Sequence, residues 1–236
     1  MASVAEASES SAELRVRDFR ARYRDAEIGP RYLGWLHASF TLCVSLGVIV
    51  FAASRVHGLR PLELLTIPLT FLFASFAEHR GHQHAMHHPR RGLRLVYQRH
   101  TLEHHRFFTH EEMAFEEIRD FKIMLFPPIL LLFFIGGLAT PVGVLLFFVA
   151  TPNIAWLYVA TALGYYLSYE VLHFAYHVPE SSAVWRLPGM RALRRHHLRH
   201  HDQRLMSKYN FNITFPIFDW LLGTTYRPRE DEGSVK

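Results

Sequence analysis

Apolar positions in this chain gather into long runs instead of the alternating stripe of a soluble amphipathic helix. The first run, Leu33–Ala53, is long enough to cross a hydrocarbon core of about 30 Å. The second, Leu62–Ala77 after Pro61, is short for a span unless its helix continues through the polar Glu78–His84, which would put the first histidines at its end. Farther on, Phe121–Leu138 and Val142–Leu172 read as a helical hairpin bent around Gly136-Gly137 and Pro141, with Pro152-Asn153 kinking or breaking the second arm. The pattern predicts an all-α integral membrane fold of about four transmembrane helices. That count puts the polar blocks Glu78–Asp120 and His173–Lys236 on the side of the amino terminus, as a helical cap.

The 236 residues, half of them apolar, suit a single domain. We divide them into a leader over residues 1–30, a membrane domain over 31–228 and a tail over 229–236. Met1–Glu13, rich in Ala, Ser and Glu, is expected to be disordered. The segment Arg15–Arg24 holds five arginines, and the polar blocks hold most of the others. The opposite loops offer only Arg55 and Arg60. The positive-inside rule therefore predicts a multi-pass protein with its amino terminus and cap in the cytoplasm. The same placement accounts for the pI near 9.5 without nucleic acid as a partner. Cys43, the single cysteine, excludes an intramolecular disulfide and a thiolate metal site.

Seventeen histidines change the picture, because most of them fall in four clusters within the cap blocks. These are His79, His82 and His84; His100, His104 and His105; His173 and His177; and His196, His197, His200 and His201. Residues three or four apart share a helix face, so His173 with His177, and His197 with His200 and His201, can each converge on one point. Adjacent histidines point about 100° apart and can serve two ions, so the doublets favour a dinuclear site. The spacing of five between His79 and His84 fits a straight helix poorly, and one of the two is expected past the helix end. About ten imidazoles exceed what one zinc needs and match two redox irons, although zinc remains possible in purified protein. His37, His57 and His110 stand alone and are read as solvated surface residues.

At these motifs the sequence resembles the fatty acid hydroxylase and sterol desaturase superfamily of membrane di-iron oxygenases, over about Glu78–Tyr226. The resemblance assigns the metal ligands to His79, His84, His100, His104, His105, His173, His177, His197, His200 and His201. The segment Phe215–Thr224 is similar to the family's closing segment. The second motif departs from the usual pattern by having three residues between His100 and His104, and His84, His87 and His88 form a competing motif. Glu78, Glu103, Glu170 and Asp202 sit beside the clusters and are candidates to accept the outer N–H of ligating imidazoles.

The resemblance implies two iron ions, dioxygen as co-substrate and hydroxylation of an unactivated C–H bond of a membrane lipid, such as a fatty acyl chain. Desaturation by the same site is the alternative. The chain shows no HPGG haem motif, so electrons are expected from a separate donor of cytochrome or ferredoxin type with its reductase. A different class of reading, a non-catalytic metal binder or transporter, wants ionisable residues within the spans, which apart from Glu170 and the edge-placed His37 are nearly free of them.

Overall fold

The computed structural model describes the backbone of residues 2–228 and the side chains of residues 13–228. The tail expected over 229–236 lies outside the described residues, and so, Glu13 apart, do the side chains of the expected disordered leader. Among the described residues every regular element is helical.

Helix α1 (Ala2–Glu27) precedes α2 (Gly34–Ser54), which matches the first apolar run. Helix α3 (Thr66–Gly81) is entered through a 3₁₀ turn, Pro61–Leu65, and prolonged by a π-helical turn, His82–Met86. The second run thus continues into the polar segment, as its length required. The first cap block then folds as α4 (Arg94–Tyr97), a π-helical stretch Gln98–His104, α5 (His105–Phe107) and the short α6 (Phe121–Met124).

The expected hairpin is corrected. Helix α7 (Pro128–Phe133) runs through a π-helical turn, Phe134–Ala139, into α8 (Thr140–Val149), so Gly136-Gly137 and Pro141 lie inside a continuous helix. The widened turn absorbs the bond that Pro141 cannot make. The chain reverses later, at Ala150 (φ −129°, ψ −115°) and the extended Thr151. There Thr151 Oγ1 caps the Ile154 amide at 3.2 Å. Pro152 is in the first turn of α9 (Pro152–Tyr176), where a missing N–H costs nothing. Helices α10 (Met190–His200) and α11 (Ile217–Leu221) complete the cap.

Among the described residues three stretches, Gly34–Ser54, Pro61–Met86 and Ile118–Val149, are long and apolar enough to cross a membrane. Helix α9 packs against α2, α3 and α8 at the centre. It is less apolar because its enclosed face carries Tyr165, Tyr166, Tyr169 and Glu170. The polarity is inverted relative to a soluble bundle: α2 buries Gly34, His37, Thr41, Ser45 and Ala52, while Val50 is 65% and Phe51 56% exposed. Phe73 on α3 and Phe148 on α8 are 64% and 79% exposed. So wide an apolar surface is compatible with lipid and not with water. Small inward residues let the helices approach closely. At Gly34 a Cβ would lie 2.3 Å from the Ile118 carbonyl oxygen, so only glycine seats α2 against the cap.

The cap is tied to α1 by arginines that the charge pattern had assigned to anchoring. Arg20 is 1% exposed. Its guanidinium donates to the carbonyls of Phe107 (2.8 Å) and Glu112 (2.6 Å) and to Glu116 (2.7 Å). Arg24 forks onto Asp120 at 2.7 and 2.8 Å. The amino-terminal helix and the histidine clusters are therefore at the same end of the molecule.

Candidate metal centre

Ten buried histidines converge as two groups of five, His82, His87, His100, His105 and His200 in one and His104, His173, His177, His197 and His201 in the other. Within each group the ligand nitrogens all lie within 4.8 Å of one another. Local backbone geometry explains the membership. A π-helical turn brings residues five apart onto one face, and the His87 amide bonds the His82 carbonyl at 3.2 Å. The same device brings His100 and His105 together at the end of the second π-helical stretch. The end of α9 supplies His173 and, one turn on, its C-cap His177, and the end of α10 supplies His197 and its C-cap His201 at the same interval. The doublets His104-His105 and His200-His201 each divide between the groups.

In the first group Nε2 of His82 lies 2.8 Å from that of His100 and 3.1 Å from that of His87. His87 and His200 are 3.0 Å apart, and His100 and His105 3.1 Å. In the second group the corresponding separations run from 3.0 Å for His197–His201 to 3.4 Å for His173–His177. Two imidazole nitrogens at right angles on an ion about 2.1 Å away would be about 3.0 Å apart.

The other ring nitrogen fixes the tautomer. Nδ1–H of His82 donates to the Phe211 carbonyl at 2.5 Å, and that of His200 to the Tyr209 carbonyl at 3.1 Å. His104, His177 and His201 donate to the carbonyls of Ile123, Met113 and Phe108 at 3.0, 2.9 and 2.6 Å. Since a carbonyl accepts only, each of these rings presents a bare lone pair at Nε2. Bare lone pairs crowded at about 3 Å repel unless a cation lies among them, so the residues present fit two metal ions.

Burial favours the same neutral form. It lowers His87 to about 2 and His104 to about 3. It holds His100, His105, His197, His200 and His201 well below the ordinary value. Charging a buried imidazole costs its solvation, so these rings stay neutral, the ligating state, at physiological pH.

Of the ten ligands expected from the sequence, eight are in the groups, and His79 and His84 are not. Their places are taken by His82 and His87, which share the spacing of five but begin on the π turn. His79 is fully buried and donates from Nε2 to Thr224 Oγ1 at 2.8 Å, and that hydroxyl in turn donates to Asp219. His84 is half-buried and belongs to neither group. The competing motif is divided: His87 joins the first group, while His88 is exposed and bonds the Gln83 carbonyl at 2.7 Å.

The carboxylates proposed to orient the imidazoles do other work, because backbone carbonyls take that position. Glu78 accepts from the Thr214 amide (3.1 Å) and hydroxyl (2.6 Å), the Ile213 amide and the Tyr165 hydroxyl, clamping the closing segment. Glu103 pairs with Tyr23 at 3.0 Å and Gln98 at 3.1 Å. Glu170 accepts from Tyr166 (3.1 Å) and the Phe126 amide (3.3 Å), and Asp202 pairs with Arg204 at 2.6 Å. The carboxylate that sequence reasoning missed is Asp219. It is fully buried and accepts from the Phe211 and Asn212 amides, both at 2.8 Å, and from His196 at 3.0 Å. Burial opposes ionisation, but hydrogen bonds from His196, His79 and Thr224 outweigh it and hold the carboxyl well below the usual range. His37, expected at the surface, is buried between Tyr32 (2.7 Å) and the Phe126 carbonyl (2.9 Å).

A cavity of about 350 Å³ reaches His100, His104 and His173, touching both groups. Arg99 apart, its other walls are largely apolar and include Leu125, Phe126, Ile129 and Phe133. Ile129 and Phe133 are 71% and 57% exposed, so this wall continues onto the outer apolar surface.

No family model and no curated protein matches the chain. A solved structure described as full-length Scs7p, with only its hydroxylase domain visible, matches 83% of this chain and 67% of that one. The TM-score is 0.55 and the identity 23%. The chain has the fold of that hydroxylase domain. This likeness agrees with the resemblance carried by the histidine motifs, and at that identity it speaks for the fold.

Proposed function

We propose that the chain is a membrane-embedded, iron-dependent lipid hydroxylase whose two irons are held by His82, His87, His100, His105 and His200 and by His104, His173, His177, His197 and His201. The observation that carries this reading is the pairing of two five-imidazole groups with one apolar cavity open toward the lipid-facing helices. Five nitrogens per ion exceed the four of a structural zinc, and imidazole donors suit iron. When bound, the metals would supply reductive activation of dioxygen. One oxygen atom enters a C–H bond and the other leaves as water, with two electrons and two protons consumed. Hydroxylation is preferred to desaturation because the fold neighbour is described as a hydroxylase.

The chain's own residues prepare this chemistry. The carbonyls of Phe211, Tyr209, Ile123, Met113 and Phe108 hold the imidazoles in one tautomer. Apolar side chains around the cavity exclude water and hold one carbon of an acyl chain beside the histidines. Electrons come from a separate donor, and the cap carrying the groups faces the cytoplasm with α1. The test is to express the chain and its His200→Ala variant in a host of defined lipid composition and compare lipids by mass spectrometry. Hydroxylated acyl chains should appear with the native chain alone. Identical lipid profiles, with both proteins present in the membrane, would reject the reading.

A further inference from the structure

The apolar cavity beside the histidines contains one permanent charge, Arg99. It sits on the π-helical stretch Gln98–His104, directly before His100 of the first group. Its side chain is 28% exposed and lies 3.8 Å from Glu103, a carboxylate already engaged by Tyr23 and Gln98. One guanidinium nitrogen donates to the Lys122 carbonyl at 3.0 Å, which fixes the orientation of the group. Of the five N–H donors of an arginine, most are left for a ligand. On the other side of α4 a cleft is lined by Arg90, Arg91 and Arg94. No hydrocarbon needs such a group, and a guanidinium in apolar surroundings pairs strongly with a carboxylate or phosphate.

We infer that Arg99 is a specificity-determining residue that seats the anionic head of the substrate, so that the lipid accepted is an acyl chain ending in a carboxylate or phosphate and not a neutral one. This rests on the reading of the site as a lipid hydroxylase. Arg99 and His100 are consecutive on one rigid turn, so the head group and the reacting carbon are registered by the same element. The oxidised position would be set by distance from the head.

The test separates binding from turnover. The full chain, Arg99→Gln and Arg99→Lys are purified in neutral detergent and titrated with one fluorescent polyene chain carrying a carboxylate, a phosphate or a methyl ester. The native protein should bind the charged chains more tightly than the ester by about tenfold or more, as a charge-assisted hydrogen bond allows. The difference should vanish in Arg99→Gln and largely persist in Arg99→Lys. The carboxylate and phosphate arms distinguish a free fatty acid from a phospholipid. Equal binding of acid and ester by the native protein, or a preference that survives Arg99→Gln, would overturn the inference. So would an Arg99→Lys protein as indifferent as Arg99→Gln, since Arg99 would then only tie its turn to Lys122. A native protein that prefers the anionic chains but, iron-loaded and reduced, oxidises none of them would sink the hydroxylase reading alone.

Discussion

Replacing His87 by Ala should separate the ligand set seen in the structure from the one suggested by motif spacing. His87 Nε2 lies 3.1 Å from His82 and 3.0 Å from His200, at the centre of the first group. The substitution removes one of five nitrogens there and none from the second group. Loss of a partner that merely orients a ligand weakens metal binding about 10–100-fold, so loss of the ligand itself should exceed that range. The buried pocket left behind is lined by Thr101, whose hydroxyl then keeps only the Met86 carbonyl at 2.6 Å, and offers no replacement ligand. Iron per chain in membranes of matched protein content, read by mass spectrometry, should fall from about two toward one. His84→Ala should retain both irons. Retention in His87→Ala together with loss in His84→Ala would refute the assignment.

Glu78→Ala should leave the Ile213 and Thr214 amides without their acceptor. At about 1–3 kcal/mol for each unsatisfied buried N–H, the closing segment should loosen, seen as a lower unfolding midpoint and faster amide exchange there. Asp219→Asn turns a carboxylate that faces two amides and His196 into a group with a donor of its own. It should cost about 1–3 kcal/mol for a buried amide left without its acceptor. Acid should act on the histidines. Their folded pKa values are depressed, to about 2 for His87 and about 3 for His104, whereas the unfolded chain takes up protons near 6.5. Stability is therefore full above that pH and is lost as pH falls below about 6.5 toward those values, which unfolding midpoints across the range would show. His57→Ala should do little to either iron content or stability, since it is the backbone of His57 that meets Asn153.

The sequence made the large features legible because they are set by run length and charge: the first span, the extended second helix and the gathering of histidines at one end. It also made the division of the doublets legible, since a turn of about 100° separates neighbours on any helix. What it left open depends on backbone choices that side-chain identity does not announce. His79/His84, His82/His87 and His100/His105 share one spacing, and the π turns at His82–Met86 and Gln98–His104 select the latter two. The recurrence of that spacing was the available signal. Similarly, Gly136-Gly137 and Pro141 resemble a bend, but a widened turn carries the helix through them, and the reversal falls on Ala150 and Thr151. His37 was missed because its carbonyl partner Phe126 is 89 residues away, and Asp219 because the irregular turn that aims the Phe211 and Asn212 amides at it has no periodic sequence signal.

The central claim, that the paired histidine groups place oxygen into a lipid, is tested most directly with isotopic dioxygen. The iron-loaded full chain is reconstituted in phospholipid vesicles, supplied with a reductant and ¹⁸O₂, and the acyl chains are analysed by mass spectrometry. The account predicts one ¹⁸O atom per product chain, carried as a hydroxyl, and none with His200→Ala. A protein holding two irons per chain that leaves every lipid unlabelled, or whose product oxygen comes from water, would contradict it.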